Sequence, residues 1–134
     1  MGFLNKFFSF FRSSEIINND VPWNMLTSLD LLETIHEESK EKPIVIFKHS
    51  SRCGVSRMVL REFQRNYSRN EEQLKLYYLD ILSYRELSNE VSIKFQVLHE
   101  SPQLLVIKDG MLIHHSSHYR IDPRILSDYV SIHS

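Results

Sequence analysis

Ile44-Val45-Ile46-Phe47-Lys48-His49-Ser50-Ser51-Arg52-Cys53-Gly54-Val55-Ser56 is the stretch on which the fold turns. Its first four residues form a continuous apolar, β-branched run, the pattern of a strand covered on both faces. A short polar loop then delivers Cys53, the single cysteine of the chain, to the start of a helical pattern. Val55, Val59 and Phe63 lie four apart with Met58 beside them, and Arg57, Arg61 and Arg65 repeat on the opposite side. A thiolate at a helix N-terminus faces unpaired backbone N–H groups and the positive end of the helix dipole, so its pKa falls.

Downstream, Leu74–Ile81 reads as the next strand, and Tyr84, Leu87, Val91, Phe95 and Leu98 follow at helical intervals. His99-Glu100-Ser101-Pro102 leads into a strand over Gln103–Lys108. Asp109-Gly110 is a two-residue hairpin signal joining it to an antiparallel strand, Met111–Ser116. Asp122-Pro123 marks a last helix start, with Asp as N-cap and Pro in the first turn, and Ile125, Leu126, Tyr129 and Val130 as its apolar face. On the other side, Trp23–Leu26 can form a short first strand. Thr27 or Ser28 caps a helix carrying Leu29, Leu32 and Ile35, which ends before Lys42-Pro43. The order is β-α-β-α-β-α-β-β-α: an α/β fold with a mixed central sheet and helices on both faces. Cys53 leaves the carboxyl end of a central strand, where such sheets place their working crevice.

Composition bounds the function. The chain has 134 residues, enough for one domain with a real core. A hydrophobic fraction of 42%, a charged fraction of 25% and a net charge of −1 describe an ordinary globular protein and give no argument for a nucleic-acid partner. One cysteine excludes an internal disulfide framework and an all-cysteine metal site, and fits a reducing compartment, the cytoplasm. Three glycines form neither G-x-G-x-x-G nor a phosphate loop. The histidines include a cluster at His114, His115 and His118. The first two point to opposite faces of a strand, and no metal-ligand spacing accompanies Cys53, so no metal is expected.

The domain is expected over 22–134, after a Phe-rich segment and linker at 1–21. Phe3, Leu4, Phe7, Phe8 and Phe11 recur at helical spacing with Lys6 and Arg12 nearby. The segment is too short to span a bilayer and lacks a secretory pattern. A frayed terminus or a segment folded back on the domain is expected ahead of an interfacial membrane anchor or a partner-docking helix.

The strand–Cys–helix unit and the distant Ser101-Pro102 together look like the thioredoxin fold. More narrowly, Phe47 to Ser56 with His99-Glu100-Ser101-Pro102-Gln103 resembles the YtxJ family of bacillithiol-system, monothiol bacilliredoxin proteins. The resemblance spans most of 22–130, including Ser117-His118. It implies a cis Pro102 beside the reactive cysteine, which would turn the Ser101 backbone toward an incoming disulfide-bearing chain. It implies an oxidoreductase whose partners are S-thiolated proteins and a low-molecular-weight thiol, bacillithiol or a glutathione-like one; separately, a monomer with no bound cofactor is expected. Cys53 takes the small thiol from a protein mixed disulfide, and a second small thiol regenerates it. Ser56, three residues on, stands where a dithiol enzyme would carry a resolving cysteine; its hydroxyl can instead donate a hydrogen bond to a thiolate.

Cys53 and Ser56 are therefore the expected catalytic residues, with Arg52, Gly54, Val55, Ser101, Pro102 and His49 around the substrate. Lys48, Arg52, Arg57, Arg61 and Arg65 make the neighbourhood basic, with Glu62 the single acid from 48 to 65. Arg52 is the cation expected to favour the thiolate and attract an anionic thiol; Arg61 and Arg65 read as a solvated helix face. Each has a plainer reading: Cys53 as an inert core thiol, Ser56 as a first-turn residue, Pro102 as a strand start. The alternative for the whole chain is a non-enzymatic thioredoxin-like module that binds extended peptides, with a regulatory or incidental cysteine.

Overall fold

The computed structural model describes residues 20–68 and 72–130; the Phe-rich segment and most of its linker lie outside the described residues. Five strands, β1 (Trp23–Met25), β2 (Ile44–His49), β3 (Lys75–Asp80), β4 (Gln103–Lys108) and β5 (Met111–Ser117), form one sheet in the order β1-β3-β2-β4-β5. The helices are α1 (Leu29–Glu38), α2 (Gly54–Asn66), α3 (Arg85–Phe95) and α4 (Leu126–Val130). β2 runs parallel to β3 and antiparallel to β4, so the strand that carries the chain into Cys53 is the middle of the sheet.

Every residue of β2 is buried, because both of its faces are covered. Val45 and Phe47 enter a core with Val59, Leu60 and Phe63 of α2 and Leu126 and Val130 of α4. Ile44 and Ile46 enter a second core with Leu32 and Ile35 of α1 and Leu87, Val91 and Phe95 of α3. Each such side chain contributes about 1.5–3 kcal/mol on leaving water. The Trp23 ring packs on Phe47, Phe63 and Tyr78, and its indole N–H donates to Gln64 Oε1 at 2.9 Å, which ties β1 to α2.

The helix ends follow local chemistry. Ser28 caps α1 by accepting from the Leu31 N–H at 3.2 Å. α3 stops at Phe95, earlier than the spacing through Leu98 suggests. Gln96 adopts a left-handed φ of 52° and Val97 N–H bonds back to Ser92 O, so the chain leaves the helix and Leu98 is 86% exposed. Asp109 and Gly110 both have positive φ, as the two-residue hairpin requires. The tip is clamped to the end of α1 by Asp109 N–H to Ser39 O and Gly110 N–H to Ser39 Oγ. Asp122 caps as expected, but the chain first makes a 3₁₀ turn over Pro123–Ile125 before α4 begins. A further 3₁₀ turn, His118–Arg120, follows β5.

Candidate active site

The site is assembled from the carboxyl end of β2, the first turn of α2 and the loop before β4. Ser50 O accepts the Cys53 N–H at 3.2 Å, closing the loop into a turn. Cys53 then takes the N-cap position of α2 in extended backbone, with its own carbonyl receiving the Arg57 N–H at 3.0 Å. No side chain caps this helix end, so its first N–H groups are left for the sulfur. The thiol is partly exposed and its pKa is lowered. The chief cause is the backbone N–H of Ser56, aided by the Val55 N–H, the Ser56 hydroxyl and the Arg57 guanidinium, against a burial effect that raises it.

Ser56 is fully buried. Its oxygen accepts the Ser50 N–H at 3.3 Å and lies 3.4 Å from Ser101 Oγ. The single Ser56 proton is then free to point at the thiolate while Ser101 donates to Ser56. The Ser101–Pro102 peptide is cis, and Pro102 O accepts the His118 N–H at 3.0 Å. The Cys53–Ser56 turn and the Ser101–Pro102 segment, far apart in sequence, thus meet through the Ser56 and Ser101 hydroxyls. Gly54 is exposed at the first helical position, and a Cβ there would meet Arg57 Nη2 at 3.9 Å, an ordinary contact. Val55 offers the site its N–H, while its side chain packs on the core.

Three expectations are corrected. Arg52 is exposed, and the guanidinium whose charge reaches Cys53 is that of Arg57, which corrects Arg52 as the cation favouring the thiolate but does not bear on its place beside a substrate. One helical turn after Cys53, Arg57 folds back and donates through Nη1 to Ser51 O at 2.8 Å, which holds its charge over the loop. His49 is not at the surface to meet a substrate. Its ring is fully buried against Phe47 and Tyr78, with Nδ1 2.7 Å from the Tyr78 hydroxyl and Nε2 without a partner among the described residues. Burial is the main cause that pushes its pKa down to about 4, so at neutral pH it is an uncharged wall. Lys48 is not part of the basic neighbourhood of Cys53. It is fully buried on the opposite face of the sheet, bonded to Ser88 O, Ser92 Oγ and His99 Nδ1. Alternation along β2 carried that information: Ile44, Ile46 and Lys48 share a face.

The histidine cluster disperses. The His114 ring packs at a tilt on Tyr129, with centroids 5.6 Å apart, whereas His115 is exposed. Among the described residues no group of three or more His, Cys, Asp or Glu side chains could hold a metal, and no helix is long and apolar enough to cross a membrane.

What the arrangement can do is bounded by its chemistry. A nucleophilic sulfur is held by N–H donors, a hydroxyl and a guanidinium, with no second thiol in the chain. Such a sulfur can attack a disulfide and can be released again by an outside thiol.

Comparisons with known proteins agree with the architecture. The family described as monothiol bacilliredoxin BrxC matches residues 24–126. A solved structure described as a candidate oxidoreductase with a thioredoxin fold is 29% identical, with a TM-score of 0.68, over 81% of this chain and 93% of that one. Thioredoxins from Fasciola hepatica (19% identical, TM-score 0.62, 83% of this chain and 99% of that one) and Malassezia sympodialis (18%, 0.62, 84% and 90%) share the fold.

Proposed function

The chain belongs to the monothiol bacilliredoxin BrxC family, and from that membership we propose that it is a monothiol thiol–disulfide oxidoreductase acting through Cys53 in the cytoplasm. Its substrates are proteins carrying a low-molecular-weight thiol, bacillithiol or one like it, in mixed disulfide. The Cys53 thiolate attacks the small-thiol sulfur. A Cys53–small-thiol disulfide forms, the sulfur–sulfur bond of the mixed disulfide breaks, and the protein thiolate leaves with the bonding pair. A second small-thiol thiolate then attacks its counterpart, forming the symmetric small disulfide and releasing the Cys53 thiolate. The electrons balance with one free small thiol consumed, and one symmetric small disulfide formed, per protein thiol restored, and no second cysteine is needed.

The observation that carries this reading is the setting of Cys53: partly exposed, uncapped, and facing the N–H groups of Ser56 and Val55. The Ser56 hydroxyl and Arg57 steady the thiolate before attack and after release. The backbone of Ser101, beside the Ser56 hydroxyl, offers an extended chain a place to align.

The test is release of protein thiol from a model protein bearing a bacillithiol mixed disulfide, with a glutathione mixed disulfide in parallel. Turnover by the wild type that vanishes in Cys53→Ser supports the assignment. A wild type indistinguishable from Cys53→Ser overturns it and leaves the peptide-binding module.

A further inference from the structure

A buried ammonium without a counter-ion is the least expected group in the molecule. Among the described residues no carboxylate pairs with Lys48, although the side chain is fully buried. Taking an unpaired charge out of water costs several kcal/mol, and an apolar side chain of the same length would fill the space without that cost. Burial pushes the Lys48 pKa down to about 8, which still leaves the group charged at neutral pH. Its value must lie in its three donors.

Two of these bind α3, through Ser88 O at 3.0 Å and Ser92 Oγ at 2.9 Å. The third leaves the helix and reaches His99 Nδ1 at 3.2 Å, which also lies 3.3 Å from Ser88 Oγ. His99 stands two residues before Ser101. Beyond it the loop is held by Gln103 Nε2 on Leu98 O, by His118 N–H on Pro102 O and by the Ser101–Ser56 hydroxyl contact. β2 thus holds the site twice: its end carries Cys53, and its Lys48 holds the loop that faces Cys53.

We propose that Lys48 is a positioning residue whose buried ammonium, through His99, sets the Ser101–Pro102 segment against Cys53. The inference rests on the exchange reading for its meaning, since that segment is where the disulfide-bearing chain aligns. His99 Nδ1 can accept from an ammonium only while unprotonated, which puts the ring proton on Nε2. The groups facing His99 are Lys48 from β2 and Arg85 from α3, which oppose its protonation, and Glu100 in its own loop, which favours it. With burial as the largest cause, its pKa is lowered, so the ring is held toward its unprotonated form and the grip weakens on acidification.

Backbone amide hydrogen exchange tests this without any turnover, using the His118 N–H that bonds to Pro102 O. Lys48→Met and His99→Leu are expected to lower His118 protection about tenfold, the loss of one hydrogen bond to a charged group. Amides of Ile46 and Val106 in the central strands should keep theirs. His99→Asn, whose amide oxygen can replace Nδ1, should restore protection. In the wild type, His118 protection should fall on acidification through the His99 titration, and in His99→Asn it should not. The same two disrupting variants should raise KM for the mixed-disulfide protein about tenfold, with the pH profile of Cys53 alkylation by a small neutral reagent unchanged. Unaltered His118 protection, an equal fall at Ile46 and Val106, or an unchanged KM beside wild-type turnover would each overturn the proposal. A wild type without turnover would instead sink the exchange reading and leave the protection measurements to stand alone.

Discussion

Replacing His49 by phenylalanine should change how the protein responds to acid. The ring is fully buried, and its pKa is about 4 in the fold against 6.5 ordinarily. Between these values the unfolded chain binds a proton at His49 and the native chain does not, so stability falls as pH falls. At about 1.36 kcal/mol per pH unit, the loss from this one group approaches 3 kcal/mol by about pH 4, or roughly 10 °C in Tm for a domain of this size. His99 and His114, whose pKa values are also lowered, act in the same direction in both proteins and cancel in the comparison. The substituted phenyl ring cannot titrate, but it leaves the Tyr78 hydroxyl without its 2.7 Å partner, at about 1–3 kcal/mol. The variant should therefore be the less stable protein near neutral pH and should draw level on acidification. Urea denaturation of both proteins at several pH values between about 7 and 4 measures the difference directly. Parallel stability curves would refute the reasoning, because they would mean that His49 takes up its proton as readily in the fold as outside it.

Ser56→Ala removes a hydroxyl from beside the thiolate and orphans the Ser50 N–H. Cys53 alkylation should shift to higher pH, and denaturation should show a loss of about 1–2 kcal/mol. Arg57→Gln should shift the same alkylation profile upward in low salt, whereas Arg52→Gln should leave it in place; the reverse pattern would restore Arg52 as the relevant cation. Gly110→Ala forces a Cβ to 2.6 Å from the His36 ring at a φ of 74°, so a loss of about 1–3 kcal/mol is expected in thermal unfolding.

Much of the framework was legible because it rests on short-range rules. The apolar run Ile44–Phe47 reads as a doubly covered strand, Asp109-Gly110 as a two-residue turn, and Asp122-Pro123 as a capped start, and each is found. What failed was extrapolation of a period past a local break. The spacing from Tyr84 through Leu98 is helical, yet a left-handed Gln96 ends α3 and puts Leu98 in solvent. The site was harder, since its parts meet only in space. Ser101-Pro102 was tied to Cys53 by family resemblance, not by any spacing. Nearness in sequence groups His49, Lys48 and Arg52 with Cys53, although the successive strand residues Lys48 and His49 face opposite ways and Arg52 lies in the loop beyond them. His49 goes to the Tyr78 side and Lys48 to the α3 side, while Arg57, one turn along the helix, comes back to the thiol.

The two outer strands have a consequence for association. A sheet must end somewhere, and an open edge offers unclaimed N–H and C=O groups to any passing chain. Among the described residues one edge is β1, three residues long. The other is β5, where Val106 faces His114 and Ile107 faces Leu112, so Ile113 is an extra residue that breaks the ladder. Met111 and Ile113 are 68% and 41% exposed along that edge, apolar enough to invite a second strand. The interruption denies such a strand a continuous run of partners. Crowded solutions of this protein should therefore resist joining sheets edge to edge, with protection built into backbone geometry.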